Sequence, residues 1–505
     1  MTVRRVNMLF SVFMLLAASS FFTIAGVSSA QVHSSQSTQL MQPEQVPLPA
    51  QPESPVSRHS DLITPVNTEP ITIDQVLERR LANVKKSAKS AILLIADGMN
   101  AAAIKLAREI LVGREGLLEI DRLPITGRMI AHPNDGPVND SAAAASEFAT
   151  GRPISLHELS MGRDGKPIQT LWEYAKTQGF RVGLVSDTRL THATPAAFAC
   201  HQLGREDEYA IAIQMLNSGF DVMLSGGRRM FASCKSTDGA AIIDPVSTAH
   251  ERGYQVILHG NEFQDAVAKR SEKVLGLFAD SFMAYSYDEG KSEEPTLDTM
   301  TAGALTLLSN KNSRFLLMVE AGKIDSTMHG HDAAELVYQM NVMENTLRVL
   351  RDYVNLHQDT LLVVVSNHSN GGLSLTENFD PAKFKSIATS SNALSRYLID
   401  RGDDIPAIMK RLFPTLTFSE FELHDLTVRS KSPEFSAAVG SLLYSRLGLY
   451  FLPLDAQRGM EITHGHTGED LFIHAQGVHQ NLFGGTMRIW EVGKRIATAL
   501  GLNFP

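Results

Sequence analysis

From Val319 to His331 the chain reads VEAGKIDSTMHGH, which sets two carboxylates and two imidazoles just past an apolar run. Phe315 to Val319 (FLLMV) is a short, continuous apolar stretch of the kind a fully covered strand shows. Glu320 therefore emerges at the strand's carboxyl end, where ligands collect in open α/β sheets. Asp325 and His329 stand in i, i+4 relation, so a helical turn presents a hard oxygen and an imidazole nitrogen on one face, a spacing suited to zinc. The same residues also read as a capped helix start, with Asp325 in the first turn and His329 and His331 in solvent. The segment alone does not separate the two readings.

Other reactive side chains share this placement. Asp97 follows AILLIA, Ser186 to His192 follow RVGLV, and Asn367 and His368 follow LLVVVS, so one crevice at the strand ends can collect them all. Asp140-Ser141-Ala142-Ala143 opens a small-residue run that ends at Thr150-Gly151. There a serine would sit at a helix N-terminus, whose free N–H groups and dipole favour an anion. Asp and Ser are also ordinary helix caps. No Gly-x-Ser-x-Gly elbow surrounds Ser141, which disfavours a Ser-His-Asp hydrolase.

The elements that must position these groups alternate along the chain. Strand-like runs occur at 91–96, 181–186, 221–224, 315–319 and 360–366, and helical patterns at 101–112, 168–177, 206–217, 297–308 and 332–351. That alternation predicts an α/β three-layer sandwich with a largely parallel central sheet and helices on both faces. Residues 374–461 interrupt it with helix-like and mixed sequence, read as a cap inserted within a catalytic domain spanning 73–505. There is no internal repeat.

Ahead of that domain, Arg4 and Arg5 precede an apolar stretch from Met8 to Val27 that closes on Ser28-Ser29-Ala30, the pattern of a cleavable signal peptide over 1–30. Residues 31–72 are rich in Gln, Ser and Pro and read as a flexible tether. The chain is thus expected to be exported, periplasmic or secreted, with no stable membrane span beyond the signal. Its 46 basic and 55 acidic side chains, net −9, include no basic block, which argues against nucleic acid as a partner. Only two cysteines occur, Cys200 and Cys234, so any metal must be held by His and carboxylate. A bridge between them is open, although the apolar PAAFAC context favours a buried thiol at Cys200.

In chain order the motifs ILLIADGM (92–99), DSAAAASEFATG (140–151), THATPAAF (191–198), DVMLSGGRRMF (221–231), VLGLFAD (274–280), VEAGKID with His329, SNH (366–368) and HTGED (466–470) together resemble the alkaline phosphatase family. The resemblance covers roughly 80–373 and 462–500 and is weak in the leader, tether and cap. It implies hydrolysis of small phosphate monoesters through a phosphoserine on Ser141, with two zinc ions and one magnesium, and allows two chains to pair. Asp325, His329 and His466 match the ligands of one zinc. Asp97, Asn367 and His368 match the zinc facing Ser141, and Asp97, Thr194 and Glu320 match the magnesium. Arg205 matches the phosphate-clamping arginine, with Asp140 orienting it, and His192 an outer group near magnesium. His466 rather than His464 is taken as the ligand because Thr467-Gly468 follows it, and His331 is expected in solvent.

The pattern breaks at Asn367, where the family usually has aspartate. An amide offers one neutral oxygen, which leaves Asp97 as the only anionic ligand beside Ser141 and weakens the drive to ionise the serine. Ala96 and Asn100 depart from the glycines usual there. The alternative to an active enzyme is therefore a weakened or inactive phosphate- or metal-binding protein on the same scaffold. A phosphodiesterase or sulfatase is disfavoured, because Arg205, Thr194 and Glu320 match the monoesterase pattern and no Cys-x-Pro-x-Arg segment surrounds the nucleophile.

Overall fold

Every residue of the strand Ser90–Ala96 is buried, so the strand has no solvent face and must lie inside a sheet covered on both sides. The computed structural model describes residues 87–232, 234–235, 242–284, 287, 292–386, 389–401, 404–454 and 465–505, all within one compact unit, Pro70–Pro505. The expected signal peptide, the tether and His464 lie outside the described residues.

Ten strands form the central sheet: β1 Ser90–Ala96, β2 Ile125–Ile130, β3 Arg181–Arg189, β4 Val222–Gly226, β5 Gln255–Ile257, β6 Val274–Leu277, β7 Phe315–Ala321, β8 Thr360–Val365, β9 Leu471–Gly477 and β10 Gly485–Arg488. Their spatial order is β10-β2-β9-β8-β1-β7-β3-β4-β6-β5. Only β9 runs against the rest, pairing antiparallel with both β8 and β2. The sheet is thus largely parallel, as expected.

Because side chains alternate across a strand, β1 feeds two cores. Ile92 and Leu94 pack with the helices Ala101–Leu111, Leu297–Leu308 and Ala333–Leu356. Leu93 and Ile95 pack with Ser141–Thr150, Leu171–Thr177, Glu208–Asn217 and Glu491–Ala499 on the other face. Register then sets the site. Ile95 pairs with Val365 on one side and Glu320 on the other, and Glu320 pairs in turn with Ser186. Asp97, Ser186, Glu320 and Asn367 consequently gather at the carboxyl ends of four adjacent central strands.

Within 374–461 the described chain forms the helices Pro381–Lys385, Ser391–Arg401, Ile405–Leu412, Glu420–Arg429 and Phe435–Ser445, with Ser374–Leu375 paired to Leu449–Tyr450. Cys200 is a free, buried thiol, whereas the side chain of Cys234 lies outside the described residues. Among the described residues no helix is long and apolar enough to cross a membrane.

Candidate active site

Asp97, one residue past β1, is fully buried and held by three side chains. Thr194 Oγ1 donates to its Oδ2 at 3.0 Å, Asn367 Nδ2 donates to its Oδ1 at 2.7 Å, and His368 Nε2 lies 3.1 Å from that same oxygen. Asn367 is fixed in orientation by its other end, since its Oδ1 accepts the backbone N–H groups of Gly98 at 3.1 Å and His368 at 2.9 Å. Its NH2, not its oxygen, therefore faces Asp97. Burial alone would raise Asp97, but the hydrogen bond to His368 wins over it and over the charge of Asp325, so the carboxyl sits below its usual range.

Ser141 opens the helix Ser141–Thr150, with Asp140 as N-cap accepting from Ala143 N. All ten residues of that helix are buried, and the alanines at 142–145 let its backbone lie close to its neighbours. Ser141 Oγ is 3.0 Å from His368 Nε2, which joins it to the Asp97 network. On the other side Arg205 Nη1 donates to Asp140 Oδ2 at 3.1 Å, and its Nη2 lies 3.3 Å from His192 Nε2. Burial would raise Asp140, yet the Arg205 charge and the Ala143 N–H hold it below the ordinary carboxylate range. His192 is pushed down to about 4 by burial and by Arg205, so it is neutral.

Asp325 and His329 lie on the helix Lys323–His329, with His329 Nε2 at 3.3 Å from Asp325 Oδ2. His466 arrives from far along the chain, its Nε2 3.9 Å from Asp325 Oδ1 and its ring stacked on His368 at 3.8 Å between centroids. Its Nδ1 lies 2.9 Å from the Asn139 carbonyl, which can only accept, so Nδ1 carries the proton and the Nε2 lone pair turns to Asp325. Burial and the nearby His368 push His466 down to about 3. Burial would raise Asp325, but His329, with His368 and His466 beyond it, holds that carboxyl well below its usual value.

The donor sets suit metal ions. Asp325, His368 and His466 offer ligand atoms within 4.8 Å of one another, as do Asp97, His192 and Glu320. Glu320 is fully buried, its Oε1 has no hydrogen-bond partner, and burial together with the Asp97 charge raises its carboxyl well above the normal range. Two buried carboxylates facing each other call for a cation between them. The Nε2 of His368 carries at most one hydrogen for two oxygen neighbours, Ser141 Oγ and Asp97 Oδ1, which a shared cation would also resolve.

The residues singled out in the sequence thus come together: Asp97, Asp140, Ser141, Thr194, Arg205, Glu320, Asp325, His329, Asn367, His368 and His466 form one continuous network. His331 is a correction. It is fully buried rather than solvated, with Nδ1 2.5 Å from Ser441 Oγ and its ring stacked on Phe451 at 4.7 Å, because the helix Phe435–Ser445 covers it. His192, expected as an outer group near magnesium, has Nδ1 3.8 Å from Glu320 Oε1 and Nε2 3.3 Å from Arg205 Nη2. Four further side chains support these groups. Ser186 and Thr188 both donate hydroxyls to Glu320 Oε2, the latter at 3.1 Å, and the i, i+2 spacing that turns them to one face was legible in the chain. Asn370 Nδ2 donates to Asp325 Oδ1 at 2.7 Å. Glu147, raised well above normal by burial, accepts from Asn139 Nδ2 at 3.1 Å and so steadies the residue that orients His466.

The family model for alkaline phosphatase matches residues 88–502. Alkaline phosphatase 3 of Bacillus subtilis (strain 168) is 27% identical over 436 residues, covering 82% of this chain and 89% of its own length. The alkaline phosphatase of Escherichia coli (strain K12) is 27% identical over 373 residues, covering 63% of this chain and 79% of its own. Among solved structures, the cold-active alkaline phosphatase from the psychrophile Shewanella sp. superposes with a TM-score of 0.69 at 29% identity, covering 81% of this chain and 99% of its own. A matched span that runs from β1 through the loops bearing Asp97, Ser141, Glu320, Asp325 and His368 to the last helix is that of a family member, and the chain belongs to the alkaline phosphatase family.

Proposed function

We propose that this chain is an exported metal-dependent phosphomonoesterase that works through a phosphoserine on Ser141. The observation that carries this reading is the position of Ser141 Oγ, 3.0 Å from His368 Nε2 at a helix N-terminus whose cap, Asp140, holds Arg205. Asp325, His329 and His466 would hold one zinc, Asp97 and His368 a second, and Asp97, Thr194 and Glu320 a magnesium, with His368 also within reach of the first set and His192 of the third. When bound, these ions supply positive charge that ionises the nucleophile and stabilises the phosphoryl and leaving oxygens.

The chain's own residues do the rest. Ser141 Oγ attacks phosphorus in line, so the Oγ–P bond forms as the P–O bond to the alcohol breaks. Arg205, held by Asp140, presents its fork to two phosphate oxygens. The N-terminal N–H groups of the Ser141 helix add positive potential where the phosphate charge gathers. Water then cleaves the Oγ–P bond, which frees phosphate and restores Ser141.

The second reading, a weakened or inactive phosphate- or metal-binding protein, is favoured by one observation. The oxygen of Asn367 is already engaged by two backbone N–H groups, so the side chain turns a donor, not a ligand, towards Asp97. Hydrolysis of 4-nitrophenyl phosphate by purified protein with zinc and magnesium, alongside a Ser141→Ala control and acid-quench detection of phosphoserine, tests the pair. Turnover lost in the control, with Ser141 phosphorylated, supports the enzyme. Phosphate binding without turnover or phosphoserine supports the second reading.

A further inference from the structure

His157 adopts φ +65°, a left-handed conformation that costs a residue with a β-carbon about 1–2 kcal/mol. Glycine would occupy that turn without strain. The backbone is nonetheless pinned, since His157 N–H donates to Asp140 Oδ1 at 3.3 Å. This holds the ring beside the carboxylate that orients Arg205. His157 Nδ1 lies 3.6 Å from Asp140 Oδ2, the same oxygen that accepts from Arg205 Nη1 at 3.1 Å, and 3.9 Å from Glu206 Oε1. That nitrogen is buried and has no hydrogen-bond partner, although the side chain as a whole remains 38% exposed.

Strain kept next to a functional carboxylate, with an unpartnered buried ring nitrogen beside it, marks a side chain retained for what it does. We propose that His157 is a positioning residue of the phosphate site: it closes on Asp140 Oδ2 when phosphate engages Arg205, and so keeps the buried carboxylate satisfied while the guanidinium fork turns to substrate. Asp140 is almost wholly buried, so no water stands ready to replace a hydrogen bond that Arg205 relaxes. This assignment rests on the phosphatase reading, specifically on Arg205 meeting phosphate.

The test is a double-mutant cycle in the full chain loaded with zinc and magnesium. His157→Gly relieves the strained φ and keeps the backbone N–H, so its Tm should equal or exceed the parent's. KM for 4-nitrophenyl phosphate and the dissociation constant of inorganic phosphate should both rise roughly threefold to tenfold, with a smaller change in kcat. His157→Asn, which tolerates the left-handed turn and retains a donor, should recover much of that loss. In an Arg205→Ala background His157→Gly should add nothing. Unchanged KM and phosphate affinity in His157→Gly, or the same fold-loss with and without Arg205, overturns the assignment. A parent protein that binds phosphate but does not turn over sinks the enzyme reading alone, because the cycle is then decided on phosphate affinity.

Discussion

Asn367 and Asp97 meet through a 2.7 Å hydrogen bond in which the amide donates and the carboxylate accepts. The amide cannot turn over without giving up the N–H groups of Gly98 and His368. An aspartate at 367 would set two carboxylate oxygens against each other in a fully buried place. Asn367→Asp should therefore cost about 1–3 kcal/mol of stability in chelator and gain most of it back on adding zinc, with metal affinity beside Ser141 rising about tenfold or more. Thermal unfolding with and without zinc, together with metal counting by native mass spectrometry, checks this. Equal stability in chelator for parent and variant would show that the amide is not compensating for a missing charge.

Gly98 reaches φ +71°, and a β-carbon there would lie 2.6 Å from Asp325 Oδ1 and 2.9 Å from Asp325 Cα. The Cα is backbone and cannot swing aside as the carboxylate oxygen could, so Asp325 as a whole must move. Gly98→Ala is expected to lower stability by about 1–2 kcal/mol and phosphatase activity by about a hundredfold, since ångström-scale misplacement at such sites is costly. Activity falling only in proportion to stability would mean that Asp325 had not been displaced. The comparison is made on soluble protein at a temperature where both forms are folded.

How far the chain announced this arrangement depends on how local each signal was. The strands β1, β3, β7 and β8 were legible because each is a continuous apolar run ending at a polar group, Asp97, Ser186, Glu320 or Asn367. The helix Leu297–Leu308 matches its expected span residue for residue. The strands β2 and β9, paired with each other near one side of the sheet, were not singled out, because ITGRMI and LFIHAQG lack a continuous apolar run and carry Arg128 and His474. His331 misled because it stands beside Gly330 and Asp332 in a polar turn, whereas residues that bury it, Ser441 and Phe451 among them, come more than a hundred positions later. Asn139 and His466 are 327 positions apart, so no spacing rule connects them.

Glu344 supplies a pH test away from the metal ligands. It accepts the backbone N–H groups of Glu119 and, at 3.4 Å, Ile120, and burial pushes its carboxyl up from 4.5 to about 7. A folded-state value above the unfolded one means that the folded chain holds the extra proton between the two. The associated stability is complete below about 4.5 and is lost as pH rises through about 7. Glu344→Gln, which mimics the protonated form, should be more stable than the parent by roughly 1–3 kcal/mol near pH 8 and equal to it near pH 4. Denaturant unfolding at the two pH values gives the difference, and a gap that does not change with pH would contradict a raised carboxyl.

Asp187 controls the start of the helix that carries Asp325 and His329. Its Oδ1 accepts Gly322 N–H at 2.7 Å and Lys323 N–H at 3.2 Å, while its own carbonyl accepts Met283 N–H at 3.1 Å. Burial raises the carboxyl to about 6 even with Lys323 nearby, so the side chain is kept in place despite its desolvation. Asp187→Ala strips the acceptor from two N–H groups at the helix start and should cost about 1–2 kcal/mol. Because Asp325 and His329 ride on the same turn and a half of helix, the loss should show as metal depletion as well as a lower Tm. Asp187→Asn keeps an oxygen for those N–H groups and should retain most of the bound metal. Elemental analysis after dialysis separates the outcomes: an alanine variant that is less stable yet keeps its full metal complement would show that Asp187 supports the fold without setting the geometry of Asp325 and His329.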